Sequence, residues 1–214
     1  MSSILQEFNY DVFISYRQND NKYDGWVTEF VANLIKELDA TIKGKVTVYF
    51  DANPHDGLLE TYSVDRSLEN KLKCIIYIPI LSRTFCDPKS FAWNNEFLAF
   101  LKMAETDTLG LNIKLNSGNV AGRVLPVRIH DLDPEDIKLV ESHLGNIRSV
   151  DFIYKSAGVN RPLRANEDHP HDNLNRTYYR DQINKVANAI DEILHGLKKL
   201  KSTATSDEKR EKPI

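Results

Sequence analysis

The sequence predicts an α/β protein on a doubly wound, five-stranded parallel sheet, and two observations carry that expectation. Five short segments rich in Val, Ile, Tyr and Phe alternate with stretches of helical apolar periodicity. Two of the five, YDVFISY at 10–16 and LKCIIYIPIL at 72–81, are apolar runs of the kind found in strands covered on both faces.

The elements follow in order. After the first strand, Val27, Phe30, Val31, Leu34, Ile35 and Leu38 recur on one face of a helix over 24–41, with Glu29, Lys36 and Glu37 on the other. KVTVYF at 45–50 is the second strand and runs into DANPHDG, whose Pro and Gly dictate an irregular loop. A short helix over 63–71 precedes the third strand at 72–81. Asp87-Pro88 suits the opening of the next helix, which carries Phe91, Phe97, Leu98 and Leu101 as its apolar stripe. Between 106 and 122, LNIKL, NSGN and VAGRV read as an inserted hairpin. VLPVRI at 124–129 is the fourth strand, Asp133-Pro134 opens a further helix, and 149–153 forms the fifth strand. The polar stretch 155–176 reads as a long surface loop, and Tyr179, Ile183, Val186, Ile190, Ile193 and Leu197 stripe a last helix over 178–197. Residues 1–7 read as an N-terminal arm, 8–196 as one domain, and 197–214 as a polar basic tail or linker of the kind cut from a longer protein.

Composition excludes several function classes. The 214 residues carry 28 Lys plus Arg against 31 Asp plus Glu, a net charge of -3, so no nucleic-acid footprint is expected. The tail holds six basic and three acidic residues, which leaves the preceding body at -6. No apolar run reaches the roughly 18 residues of a spanning helix and no signal-peptide layout opens the chain, so a cytoplasmic protein without membrane insertion is expected. Cys74 and Cys86 are too few for a disulfide framework and read as free thiols. Cys74 falls inside a core strand, while Cys86 lies near the presumed ligand edge.

Ligands of an open α/β sheet bind at the carboxyl ends of the strands near the point where strand order reverses. That directs attention to Ser15-Tyr16-Arg17, to 51–57 and to Ser82 onward. No GxGxxG follows the first strand and no GxxxxGK[ST] occurs, so dinucleotide-fingerprint and P-loop chemistry are excluded. SYRQND lacks the small residues a flavin phosphate loop needs, and the third strand ends in PILS, without a phospho-acceptor aspartate. The histidines are scattered, and His169-Pro-His171 lies in a polar loop without a Cys beside it, so solvated loop histidines and no metal site are expected.

The chain does carry an ordered set of motifs: YDVFISYR on the first strand, VYFD leading into a PxDG loop, KCIIYIPILS, a Trp followed by Glu-Phe on the third helix, and VLPVRI. In this order the set resembles a Toll/interleukin receptor (TIR) domain, over roughly residues 8–195. The resemblance implies a flavodoxin-like three-layer fold with strand order 2-1-3-4-5. It divides the expected function into two classes: enzymes that cleave NAD+ to nicotinamide and ADP-ribose or a cyclic isomer, and non-catalytic adaptors that act by homotypic assembly in signal transduction. A base-exchange or deoxyribosyl-transfer enzyme on a related fold is a third class. The enzyme's catalytic glutamate falls on Glu96. Substrate-binding positions fall on Ser15, Tyr16, Arg17, Asp51, Gly57, Ser82 and Trp93, and 51–59 corresponds to the family's BB loop. In many members the tryptophan precedes the glutamate by four residues, whereas Trp93 precedes Glu96 by three. At that interval an α-helix would put both on one face.

The chemistry suits a single carboxylate. Nicotinamide leaves as a neutral ring from a pyridinium and needs no general acid, so one ionised carboxylate can orient the ribose and stabilise the oxocarbenium charge. The resemblance, with Glu96 on the matching helix, implies the bacterial NAD+-cleaving type: a self-associating homo-oligomer in antiphage defence, with NAD+ as substrate and no cofactor.

Overall fold

The computed structural model describes residues 3–51, 64–115, 118–146, 148–166 and 171–208. The first strand, β1 (Tyr10–Ser15), is followed by one helical turn, α1 (Asn19–Lys22), and by α2 (Trp26–Thr41). Then come β2 (Val48–Phe50), α3 (Val64–Leu72) and β3 (Cys74–Leu81). A π-helical turn over Ala92–Phe97 leads into α4 (Leu98–Thr106), and β4 (Asn112–Lys114) pairs with β5 (Val120–Gly122). The chain continues through β6 (Val127–Arg128), α5 (Pro134–Leu144), β7 (Val150–Asp151), β8 (Ile153–Ser156), β9 (Val159–Pro162) and α6 (Tyr179–Glu208).

The main sheet has five parallel strands in the order β2-β1-β3-β6-β7, so the fourth and fifth sheet strands are β6 and β7 and the predicted 2-1-3-4-5 order holds. Both faces of the two central strands are covered, which explains their unbroken apolar character. Val12, Ile14, Ile76, Ile78 and Ile80 face a core shared with α2 and α6. Phe13, Tyr77 and Leu81 face a second core shared with α4 and α5. The expected inserted hairpin is β4-β5, and its Leu115 packs against Gly196 of α6 so closely that a Cβ there would lie 2.6 Å from Leu115 Cδ2. The glycine therefore has a packing reason despite its cost of about 1 kcal/mol inside a helix.

Other expectations need correction. The stretch 155–176 is not a plain loop, because β8 and β9 form a second hairpin through Ala157-Gly158, with Gly158 at φ +74 and Arg161 stacked 4.2 Å over the Tyr154 ring. The last helix does not stop near 197. Its backbone continues to Glu208, although Leu197 remains a core side chain. The N-terminal arm is tied to the sheet by the buried Asp11, whose carboxylate accepts from Ser3 Oγ (2.6 Å), the Ile4 amide (2.8 Å), and the Thr47 amide and hydroxyl (2.7 and 2.8 Å). Leu5 is accordingly a core residue.

β3 carries the main structural constraint. It pairs with β1 along most of its length, but on its other side backbone pairing is confined to Tyr77, which donates to Arg123 O (2.8 Å) and accepts from the Leu125 amide (2.9 Å), and to Ile80 and Leu81 opposite β6. Arg123, 1% exposed, completes that side with its side chain: Nε donates to Ile75 O (2.8 Å), Nη2 to Cys74 O (2.8 Å), and Nη1 to Gly110 O (2.8 Å) and to Asp107. Removing the guanidinium leaves the buried carbonyls of Cys74 and Ile75 without a donor and takes the cation from the one-quarter-exposed Asp107. Arg123→Met should therefore cost about 3–5 kcal/mol, read as a lower midpoint in urea. A loss below about 1 kcal/mol would show that water serves these carbonyls equally well.

Candidate functional site

The sheet order makes the β1/β3 boundary the switch point, because the chain crosses from β1 to β2 on one side and reaches β3 on the other. At the carboxyl end of β1 the strand alternation turns Ser15 toward the face covered by the π-helical turn. Ser15 Oγ donates to Glu96 Oε2 at 2.5 Å. Above this bond lies a cavity of about 280 Å³, whose walls include Tyr16, Arg17, Asp51, Phe91, Ala92 and Glu96. Its volume is just below the roughly 300–1,000 Å³ usual for small-molecule sites.

The Tyr16 hydroxyl donates to the Asp51 carbonyl and ties the end of β2 to the end of β1. Burial, reinforced by Asp51, pushes the Tyr16 phenol up to about 12, so it stays a donor at neutral pH. Arg17 lines the cavity, and among the described residues no salt bridge engages it. Burial pushes the partly buried Glu96 carboxyl from its ordinary 4.5 to about 7, with the Ser15 hydrogen bond opposing, Asp51 reinforcing and Lys71 opposing. A carboxylate that titrates near neutrality at a cleft is a candidate functional group on physical grounds.

Four of the expected site residues, Tyr16, Arg17, Asp51 and Glu96, thus share one cavity, and Ser15 supports it from beneath. Trp93 and Ser82 lie elsewhere. Trp93 is 2% exposed and packs 4.8 Å from Phe97 and 5.7 Å from His143 in the second core. The π-helical turn is the reason. Its i→i+5 winding turns each residue through less than the ~100° of an α-helix, so three residues do not restore the same face. The same winding aligns Phe91 with Glu96, five residues on. Phe91, expected in the apolar stripe, is 49% exposed and lines the cavity.

Ser82 serves a neighbouring polar cluster. It donates to Asp20 Oδ2 (2.5 Å) and caps the Phe85 amide (3.0 Å), while Thr84 donates to Asp20 Oδ1 (3.0 Å). This fastens α1 to the end of β3. Gly57 and the rest of the expected BB loop from 52 to 59 lie outside the described residues, as does His169. Both thiols are buried, and burial pushes Cys86 up to about 12 and Cys74 up further still, which removes thiolate chemistry near neutral pH. Among the described residues no cluster of three His, Cys, Asp or Glu is placed to hold a metal, and no helix is long and apolar enough to cross a membrane.

No family model matches the chain, and no curated protein does. Among solved structures the chain is similar to the TIR domains of the activated Roq1 resistosome that directly recognises the pathogen effector XopQ, with 19% identity over 84% of each chain and a TM-score of 0.38.

The raised Glu96 carboxyl has a consequence for stability. The folded state holds a proton there between 4.5 and about 7 that the unfolded chain has lost, so this contribution to stability is present below 4.5 and gone once pH has risen through about 7. Glu96→Gln removes the dependence. It should raise stability at pH 8 by about 3 kcal/mol while changing little at pH 4, read by chemical denaturation at both pH values. Equal effects at the two pH values would show that the carboxyl is not desolvated.

Proposed function

We propose that the chain is a TIR-type NAD+ glycohydrolase, cleaving the nicotinamide–ribose bond to give nicotinamide and ADP-ribose or its cyclic isomer. The observation that carries this reading is Glu96, held by Ser15 at the mouth of a cavity that also takes up Tyr16, Arg17 and Asp51. One carboxylate on a cleft wall, with no second acid opposite it among the described lining residues except Asp51, suits a leaving group that needs no proton. Nicotinamide ribose enters with its C1′ toward Glu96. The C1′–N bond breaks with its electron pair going to the ring nitrogen, and the ionised carboxylate stabilises the oxocarbenium charge left on the sugar. Water adds at C1′ and releases a proton, giving ADP-ribose. Phe91 offers a partly exposed ring for stacking at the rim, and Arg17 offers the pyrophosphate a local cation that the net acidic body does not supply.

Association with further copies, through the BB loop and helix faces, completes the reading: a homo-oligomeric effector of bacterial antiphage defence, working in the cytoplasm without a cofactor. Concentrated protein incubated with NAD+ should release nicotinamide, and Glu96→Gln should lower the rate by about 10²–10³-fold, as measured by chromatography. Equal product from both proteins would remove Glu96 from the chemistry. Because the ionised form acts, the rate should rise with pH through a midpoint near 7. A rate that falls over this range would instead assign Glu96 the role of an acid.

A second set of assays separates the rim from the acid. Phe91→Ala should raise KM several-fold with kcat largely kept, since stacking acts on ground state and transition state alike. A loss confined to kcat would place Phe91 in the chemical step.

A further inference from the structure

Tyr77 carries the unexplained polar group nearest the proposed chemistry. Its side chain is 0% exposed, and its hydroxyl meets no hydrogen-bond partner of ordinary distance and angle among the described residues. A phenylalanine would fill the same space without burying a donor, so the hydroxyl is a standing cost that the packing does not explain.

The surroundings of the ring fix where that hydroxyl points. Tyr77 sits opposite Phe13 in the β1–β3 ladder, and the two rings stack at 5.6 Å and 6°. Phe13 and Ser15 are two residues apart on one strand and so share a face. The other side of the Tyr77 ring is stacked on Phe100 at 4.7 Å, and Phe97, the residue after Glu96, is 6.2 Å away. Apolar rings therefore enclose the body of the side chain. The groups that act on its hydroxyl are Glu96, Ser15 and the buried Cys74: burial pushes the phenol well up, the Glu96 charge reinforces the rise, the Ser15 hydroxyl opposes it, and Cys74 adds to the rise.

We propose that Tyr77 donates its hydroxyl hydrogen to Ser15 Oγ and thereby holds the Ser15 hydroxyl in the rotamer that donates to Glu96. A serine hydroxyl has one hydrogen and two acceptor sites, so giving its hydrogen to Glu96 leaves it able to accept from Tyr77. Accepting that bond polarises the serine O–H and strengthens the bond it gives. Tyr77 is then a positioning residue for the ionised carboxylate, acting through Ser15. The other charged or titratable groups around Glu96 are Asp51 at the end of β2, Lys71 on α3, and Tyr16 and Arg17 in the cavity. All of them stay in place when only the phenol oxygen is removed.

The proposal rests on the reading of Glu96 as a working carboxylate, but its test needs no activity. With glutamate labelled at Cδ, the Glu96 carboxyl, identified by its loss in Glu96→Gln, is followed by carbon NMR against pH. Ser15→Ala should raise the midpoint by about one pH unit and Tyr77→Phe by about half a unit, a threefold change in the ionised ratio. Tyr77→Phe should add nothing once Ser15→Ala is present, because both substitutions cut the same chain. A Tyr77→Phe midpoint equal to that of the parent protein, or effects that simply add, would overturn the relay. Should Tyr77→Phe not fold, 3-fluorotyrosine placed at 77 alone is a stronger donor of nearly the same shape. It should lower the midpoint, and an unchanged midpoint would overturn the proposal. Full NAD+ cleavage by Glu96→Gln would defeat the proposed function while leaving the titration result intact, so the two ideas fail separately.

Discussion

A strand buried along its whole length must account for every polar group it carries, and β3 is such a strand, with each residue from Cys74 to Leu81 in the core. Its ladder to β1 satisfies one edge. The other edge is paired to β6 only near its carboxyl end, so the carbonyls of Cys74 and Ile75 fall to the guanidinium of Arg123. The chain that delivers Arg123 comes straight from the β4-β5 hairpin, which ties that insertion to the sheet rather than leaving it as decoration. At the opposite end of the same ladder the constraint has a chemical result. Ser15 and Tyr77 are carried on neighbouring strands toward one helix, and that helix answers with Glu96.

The helix answers with Glu96 rather than with Trp93 because it opens as a π-helical turn. Such turns recur at functional sites, where their wider winding re-aims side chains without a break in the chain. Here the turn sends Trp93 inward against Phe97 and His143, and brings Phe91 and Glu96 to the cavity. The result is a site that is costly to keep. A carboxyl held near neutrality by burial and a phenol without a geometrically sound partner both oppose stability, and both sit where the proposed reaction needs a water-poor, preorganised wall.

Much of this was legible in the sequence. The two continuous apolar runs fixed which strands are central, the periodic faces of 24–41 and 178–197 marked the helices that cover one side, and NSGN signalled the inserted hairpin. The carboxyl ends of the first two strands directed attention to Tyr16, Arg17 and Asp51, which do share a cavity with Glu96. What escaped was either non-local or dependent on a winding that composition does not encode. Arg123 looks like an ordinary hairpin residue until the gap in the β3 ladder at Cys74 and Ile75 is seen. The resemblance points to Trp93, and α-helical spacing would set it on the face of Glu96, but the π-helical turn overrides that spacing. Ser82 was assigned by its strand end, yet its hydroxyl is committed to Asp20. The β8-β9 hairpin was hidden because its residues are mostly polar and its turn is marked by one glycine, and the polar face of α6 past Gly196 gave no periodic signal.

The central claim is that the cavity beside Glu96 receives the nicotinamide ribose of NAD+. The most direct measurement is a crystal structure of the Glu96→Gln protein with intact NAD+. The account predicts ribose C1′ within about 3–3.5 Å of the residue-96 side chain, the pyrophosphate on Arg17 and a ring against Phe91. A dinucleotide bound away from this cavity, or reversed so that its adenine ribose lies at residue 96, would contradict it.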